Sequence, residues 1–252
     1  MKTRSLLAAA CAALLLLAGC TREMKTAIVS DEVFVPQSAG SETGLSVDYH
    51  VEYVTGGLPN EAMDKINAAI ISDFLYDAAE AGMSVPDACR QWLEALCDGY
   101  EEDVRSLMEE VEASNDWMFN WSYSIDGAFT TGCKARGWQS YCSSAEDYEG
   151  GAHGMYGETH MVFDLATGER IREEDLLDPD YDREAFSELL YDRLMEDLDD
   201  EQEAFGMPAP NGNFSVSEKG VTWYYNPYEI ASFALGVVGI TVSWADLKPF
   251  LQ

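Results

Sequence analysis

Leu45, Val47, Tyr49, Val51 and Tyr53 alternate with polar residues, the period of a strand with one face buried. Gly56-Gly57-Leu58-Pro59 marks a turn, and Asn60 is placed to cap the helix that follows. In that helix Met63, Ile66, Ile70 and Phe74 fall on one stripe. A second helical pattern opens with Ser84 and Asp87 at capping-box spacing, runs to about Ala113, and is expected to break at Asp98-Gly99. Trp117, Phe119, Trp121, Tyr123 and Ile125 then alternate with polar or flexible residues, the clearest strand in the chain. This row reads as the core face of an antiparallel sheet in preference to a platform for stacking sugars. A further strand is expected from about Met155 to Leu165, closed by the tight turn Ala166-Thr167-Gly168.

The flanks are less regular. Thr21 to Gly44 is polar and reads as a tether, with at most a short strand at Val33-Phe34-Val35. Glu173 to Glu203 holds 15 acids and two bases, yet Phe186, Leu189, Leu190, Leu194 and Leu198 keep helical spacing. That spacing makes the stretch an amphipathic helix with an acidic outer face rather than a solvated tail. Asp178, Asp180 and Asp182 have the spacing of the first calcium ligands of an EF-hand. Arg183 stands where that loop needs glycine and Leu189 where it needs glutamate, so they read as first-turn helix acids. Past Pro208 and Pro210, short strands are expected near Phe214–Ser217, Val221–Tyr225 and Val237–Ser243, with a helical end at Trp244–Leu251.

Composition narrows the function. Hydrophobic residues at 47 % and charged residues at 24 % describe a globular chain. The 15 basic and 46 acidic residues give a formal charge of −31, which repels phosphate backbones and excludes a nucleic-acid partner. Lys2 and Arg4, the apolar run Leu6 to Leu17, and Leu17-Ala18-Gly19-Cys20 look like a bacterial lipoprotein signal. On that reading residues 1–19 are removed, the charge becomes −33, Cys20 carries the lipid, and residues 20–44 tether the body to a membrane. Thr21 after the cysteine favours the outer membrane.

Cys89, Cys97, Cys133 and Cys142 remain, an even number suited to two disulfides in an oxidising compartment. If Gly137-Trp138 is a two-residue type II′ turn, Arg136 lies opposite Gln139 and Cys133 opposite Cys142, within bonding reach. Cys89 and Cys97 can bond only if their helix breaks between them, because a continuous helix separates them by about 12 Å. Three histidines leave little room for triad or metal chemistry. His153 and His160 could supply half a zinc site, but no other histidine or free thiol is evident beside them. Gly150-Gly151-Ala152-His153 therefore reads first as a structural turn, then as a partner contact, and only last as chemistry. No catalytic residue, metal or cofactor is expected.

Tyr148-Glu149-Gly150-Gly151-Ala152-His153-Gly154 precedes a strand and the turn Phe163 to Glu169. Tyr224-Tyr225-Asn226-Pro227-Tyr228-Glu229-Ile230-Ala231 comes later, with Leu235-Gly236 and a closing Leu247-Lys248-Pro249-Phe250-Leu251. Their order resembles the paired extracellular domains of lysozyme-sensing anti-sigma factors (RsiV-like), domains also found beside peptidoglycan deacetylases. The resemblance implies an α+β fold of antiparallel sheets packed against helices. It also implies two sequential subdomains, an N-terminal one over 45–161 and a C-terminal one over 162–252. The expected role is a non-enzymatic envelope binding module for lysozyme, another cationic protein or cell-wall glycan. An enzyme or accessory acting on peptidoglycan, or a structural lipoprotein, is the alternative. Trp138, beside Arg136 and Gln139 at the hairpin tip, is the expected apolar anchor, and His153 a further contact.

Overall fold

The structure is a computed structural model and describes residues 23–75, 82–107, 116–197 and 205–252. The leader and Cys20, Ala113 and Leu198 lie outside the described residues, as do the side chains of Phe74 and Trp117. Among the described residues no helix is long and apolar enough to cross a membrane.

Six strands form the main sheet: β1 (Lys25–Pro36), β2 (Gly44–Gly56), β3 (Trp121–Cys133), β4 (Trp138–Tyr148), β5 (Met155–Asp164) and β6 (Arg170–Ile171). They lie in sequence order, antiparallel except that β3 runs parallel to β2. The parallel step follows from the connection. Two helices, α1 (Asn60–Phe74) and α2 (Val85–Leu107), intervene, and a crossover of that length returns the chain in the same direction. Three further helices, α3 (Glu173–Leu176), α4 (Arg183–Asp197) and α5 (Trp244–Leu247), accompany a small antiparallel sheet. Its strands are β7 (Phe214–Val216), β8 (Gly220–Tyr225) and β9 (Val238–Ser243). The fold is α+β, as the sequence predicts.

Alternation along the strands builds two cores, one on each face of the main sheet. Val47, Tyr49, Val51, Ile125, Tyr141, Met161 and Phe163 pack with Ile66 and Ile70 of α1 and Ala88, Cys89 and Leu93 of α2. Val162, between Met161 and Phe163, points the other way, into a core shared with Phe186, Leu190 and Leu194 of α4 and with Trp223 of the small sheet. Adjacent residues of β5 thus serve both cores, and the boundary at 161/162 falls inside one strand. The main sheet continues to Ile171.

Several sequence expectations are corrected. The tether contains a strand of 12 residues, β1, paired with β2 along its whole length. It is an edge strand with Ile28 and Phe34 exposed and with Asp31 and Glu32 at its middle, so neither face prints a clean period. Asn60 lies inside α1 and does not cap it; Pro59 occupies the cap position without a side-chain bond. Helix α2 does not break at Asp98-Gly99. Gly99 sits on its exposed side, where glycine costs about 1 kcal/mol against alanine, while Tyr100 and Val104 are buried on the other. The strand expected from Trp117 begins only at Trp121, after a 3₁₀ turn over Asp116–Phe119. Among the described residues the acidic stretch holds two helices, and Asp182 caps the second by accepting from the amides of Glu184 and Ala185. Ser84 and Asp87 form half of the expected box: the Ser84 hydroxyl accepts from the Asp87 amide at 3.3 Å, but it donates to the Asp87 carboxylate at 2.6 Å, and the carboxylate takes that proton in place of the Ser84 amide.

Two glycines give opposite expectations. A methyl group at Gly99 would meet nothing within 4 Å, so Gly99→Ala should raise stability by about 0.5–1 kcal/mol in urea unfolding. Gly168 has φ +73°, and a Cβ there would lie 2.4 Å from the Ala62 carbonyl oxygen. Gly168→Ala should therefore lower stability by roughly 1–3 kcal/mol in the same measurement.

Candidate functional site

Beyond its two-residue pairing with β6, the outer edge of β5 is hydrogen-bonded to no further strand among the described residues. Two side-chain amides finish the ladder. Asn226, directly after β8, accepts from the Glu158 amide at 2.8 Å and donates to the Glu158 carbonyl at 3.1 Å. Asn213, directly before β7, accepts from the His160 amide at 2.6 Å and donates to the same carbonyl at 3.0 Å. The small sheet thereby fixes the backbone of Glu158 and His160.

Their side chains meet Cys142, which lies opposite His160 in the β4–β5 pairing. His160 Nε2 is 2.9 Å from Glu158 Oε2 and 3.7 Å from Cys142 Sγ, and Sγ is 3.9 Å from Glu158 Oε2. A carboxylate accepts, so Nε2 carries the ring proton in this contact. The His160 ring is buried and stacks on Tyr224 at 3.5 Å with an interplanar angle of 8°. Its Nδ1 is buried without a hydrogen-bond partner. Burial, reinforced by the charge of Glu158, pushes the Cys142 thiol up to about 12. The contact with His160 outweighs desolvation at Glu158 and holds that carboxyl below its ordinary range.

Glu158 is also a wall of an open cleft of about 450 Å³, bordered by Thr159, Arg170, Arg172, Glu173 and Asn211 among others. The cleft lies where the small sheet meets β5 and β6. Glu173 closes one side, accepting from Trp223 Nε1 at 2.8 Å and from the Gly212 amide at 3.0 Å.

An aromatic ridge stands on the same seam. Phe233 has the His153 ring at 4.6 Å, Tyr156 at 5.2 Å and Tyr228 at 5.7 Å. Tyr228 is 52 % exposed and Met155 44 %. The two sequence motifs, separate in the chain, thus meet here. Asn226-Pro227-Tyr228-Glu229 is a turn closed by the Glu229 amide on the Asn226 carbonyl at 3.0 Å. With proline second and φ +72° at Tyr228, it has the layout of a type II turn whose third position is normally glycine. Tyr228 is the one non-glycine residue at positive φ among the described residues.

The expected site residues divide. His153 belongs to the ridge, its Nδ1 donating to the Gly154 carbonyl at 2.8 Å. Trp138 is not at a two-residue tip. The turn is Lys134 to Gly137, with Gly137 at φ +71° as its last residue, so Cys133 faces Trp138 and Cys142 faces Ala128. Trp138 is half-buried against the second core. The Arg136 guanidinium lies 4.9 Å from its ring centre and 4.4 Å from that of Trp244. Gln139 is spent on the bulge of β3, donating to the carbonyls of Thr130 at 2.9 Å and Thr131 at 3.2 Å. These residues form no exposed anchor.

The corrected register also removes the Cys133–Cys142 bridge, since the two are roughly four strand residues, about 13 Å, apart across the pair. Cys89 and Cys97 share the unbroken α2, and all four thiols are free. Cys89, packed in the first core, is pushed up to about 12 by burial. Sequence reasoning missed Glu158, Tyr224, Asn213 and Asn226.

Residues 174–245 match the family model described as "Protein of unknown function (DUF3298)". The fold is similar to that of a DUF3298 family member from Bacteroides fragilis, with a TM-score of 0.82. The match covers 92 % of this chain and 95 % of that one at 22 % identity. A DUF3298 family protein from Pseudomonas aeruginosa gives a TM-score of 0.64, covering 92 % of this chain and 96 % of that one at 16 % identity. No curated protein matches the chain. The matched segment holds Asn213, Tyr224, Asn226, Tyr228 and Phe233; Cys142, Glu158 and His160 lie before it.

Two outcomes follow from this geometry. Alkylation of the unfolded chain without reductant should modify Cys89, Cys97, Cys133 and Cys142, and peptide mapping should find no Cys133–Cys142 link. Asn226→Ala strands the Glu158 amide and should cost roughly 1–3 kcal/mol in denaturant unfolding.

Proposed function

We propose that the protein is a non-enzymatic binding module of an envelope lipoprotein, and that its binding face is the seam ridge of His153, Met155, Tyr156, Tyr228 and Phe233. The observation that carries this reading is Tyr228. A bulky side chain at φ +72° costs on the order of 1–2 kcal/mol that glycine would not, and such strain clusters at ligand contacts. The strain holds an aromatic ring half in solvent against Phe233, which in turn packs with His153 and Tyr156. Exposed aromatics grouped in this way are the usual energetic centre of an interface.

The partner this surface suits is a cationic protein. A formal charge of −31 steers such a partner over a distance of about 8–10 Å at moderate salt, and the ridge supplies the short-range contact that charge lacks. The resemblance to RsiV-like sensors names lysozyme as the first candidate. Burial speaks against one form of catalysis, a nucleophilic Cys142. A nucleophilic cysteine has its thiol lowered, whereas burial here drives the thiol up. Lipid attachment at Cys20 would hold the module at the membrane surface, and globomycin sensitivity of the precursor, lost in Cys20→Ala, tests that part.

Tyr228→Gly separates the binding role from a folding role. It should raise the melting temperature by relieving the turn, and it should weaken lysozyme binding by about 1–2 kcal/mol in calorimetry. Added salt should slow association more than it speeds dissociation. No saturable binding of lysozyme at low salt, or full binding by Tyr228→Gly, would sink this reading.

A further inference from the structure

We propose that Cys142, Glu158 and His160 form a binding site for a zinc-class divalent cation. A tetrahedral ion takes sulfur at about 2.3 Å, imidazole nitrogen at about 2.0–2.1 Å and carboxylate oxygen at about 2.0–2.2 Å. Those bond lengths set ligand atoms roughly 3.3–3.6 Å apart. The three separations are 3.7, 3.9 and 2.9 Å, so shifts of a few tenths of an ångström bring every pair to that edge length. All three ligand atoms lie within 4.8 Å of one another.

The donor set selects the ion. Thiolate and imidazole together favour zinc and its neighbours over calcium or magnesium, which prefer oxygen alone. Thiolate and carboxylate carry two negative charges between them, which match a divalent cation. On binding, the Sγ proton leaves to solvent and the ring proton passes from Nε2 to Nδ1, freeing the Nε2 lone pair. Cation coordination is the ordinary way to ionise a thiol that burial otherwise keeps neutral.

The supporting shell is in place. Asn213 and Asn226 fix the backbones of Glu158 and His160. Orientation of a liganding ring usually comes from a hydrogen bond on its second nitrogen. Here Nδ1 has none, and that role falls to stacking on Tyr224 at 3.5 Å. Tyr224 is in turn pinned by a hydroxyl contact to Ser215 at 3.0 Å. Of the three, Glu158 borders the cleft, which is the side from which water or an incoming ligand would reach the fourth tetrahedral position.

Cobalt reports the site, because it binds like zinc and its thiolate complexes absorb in the near ultraviolet. The full chain in detergent, with thiols kept reduced, should take up one equivalent of Co²⁺ with a thiolate-to-cobalt charge-transfer band that Zn²⁺ abolishes. Cys142→Ser should lose the band while Cys89, Cys97 and Cys133 remain. Glu158→Gln and His160→Gln should weaken binding at least tenfold, and Tyr224→Leu about tenfold with the band kept. Zn²⁺ should raise the melting temperature of the wild type and not that of Cys142→Ser. Circular dichroism establishes that each variant is folded, and Glu158→Gln carries the test if His160→Gln is not. A folded, reduced wild type without the band would mean a hydrogen-bonded triangle only. An equal band in Cys142→Ser would place the thiolate elsewhere. Either result overturns the proposal.

Discussion

The seam between the two sheets depends on an asparagine side chain standing in for a strand. A carboxamide offers one donor and one acceptor with nearly the spacing of a peptide group, so it can satisfy an edge residue on both sides. Asn226 does this to Glu158, and Asn213 spans Glu158 and His160. Asn67 of α1 does the same to Val54, accepting from its amide and donating to its carbonyl, each at 2.9 Å, where β2 has outrun its partner β3. Without these amides, the backbone groups of two strand edges would need water in partly buried places or would be left unpaired. The clamp on β5 also has reach. It docks the small sheet, places two of the three triangle residues, and leaves a cleft where the sheet edge would otherwise continue.

Elements with one buried face were legible. The alternation at 45–53 and the stripe through Phe186, Leu190 and Leu194 each predict an element that exists, because burial on one side prints a period on the sequence. β1 was not legible for the converse reason: its residues are exposed or only half-buried throughout. The parallel pairing of β2 with β3 is a property of the connection, since the alternation of β3 is the same in either direction. At Gly137 the positive φ was foreseeable but the turn around it was not. The first central position of a two-residue turn and the last position of a four-residue turn both ask for glycine, and choosing between them moves every cross-strand partner.

That choice also hid the triangle. Pairing Cys142 with Cys133 removed it from the set of free thiols, and His160 then lacked a partner. Yet a signal was present in the second hairpin. Cys142 lies nine residues before Gly151 and His160 nine after it, and the β4–β5 register is centred there. Centring the hairpin on the glycine loop would have placed thiol and imidazole side by side. Glu158 then joins because it shares a strand face with His160. The asparagines could not be read in this way, since their role depends on how two sheets dock.

Asn226 links the two halves of the site. Its side chain holds Glu158, while its carbonyl accepts from Glu229 and its amide donates to the Glu229 carboxylate at 3.0 Å, closing the turn that carries Tyr228. The strained tyrosine and the triangle therefore hang on one residue whose polar groups are bonded in the clamp and in the turn. A position so fully bonded has no second arrangement of similar energy to switch into. The link is thus one of rigidity, with the outer clamp locking the inner groups and the base of the ridge together. In a turn that holds an aromatic ring half in solvent at positive φ, such rigidity is what keeps the backbone from relaxing and withdrawing the ring.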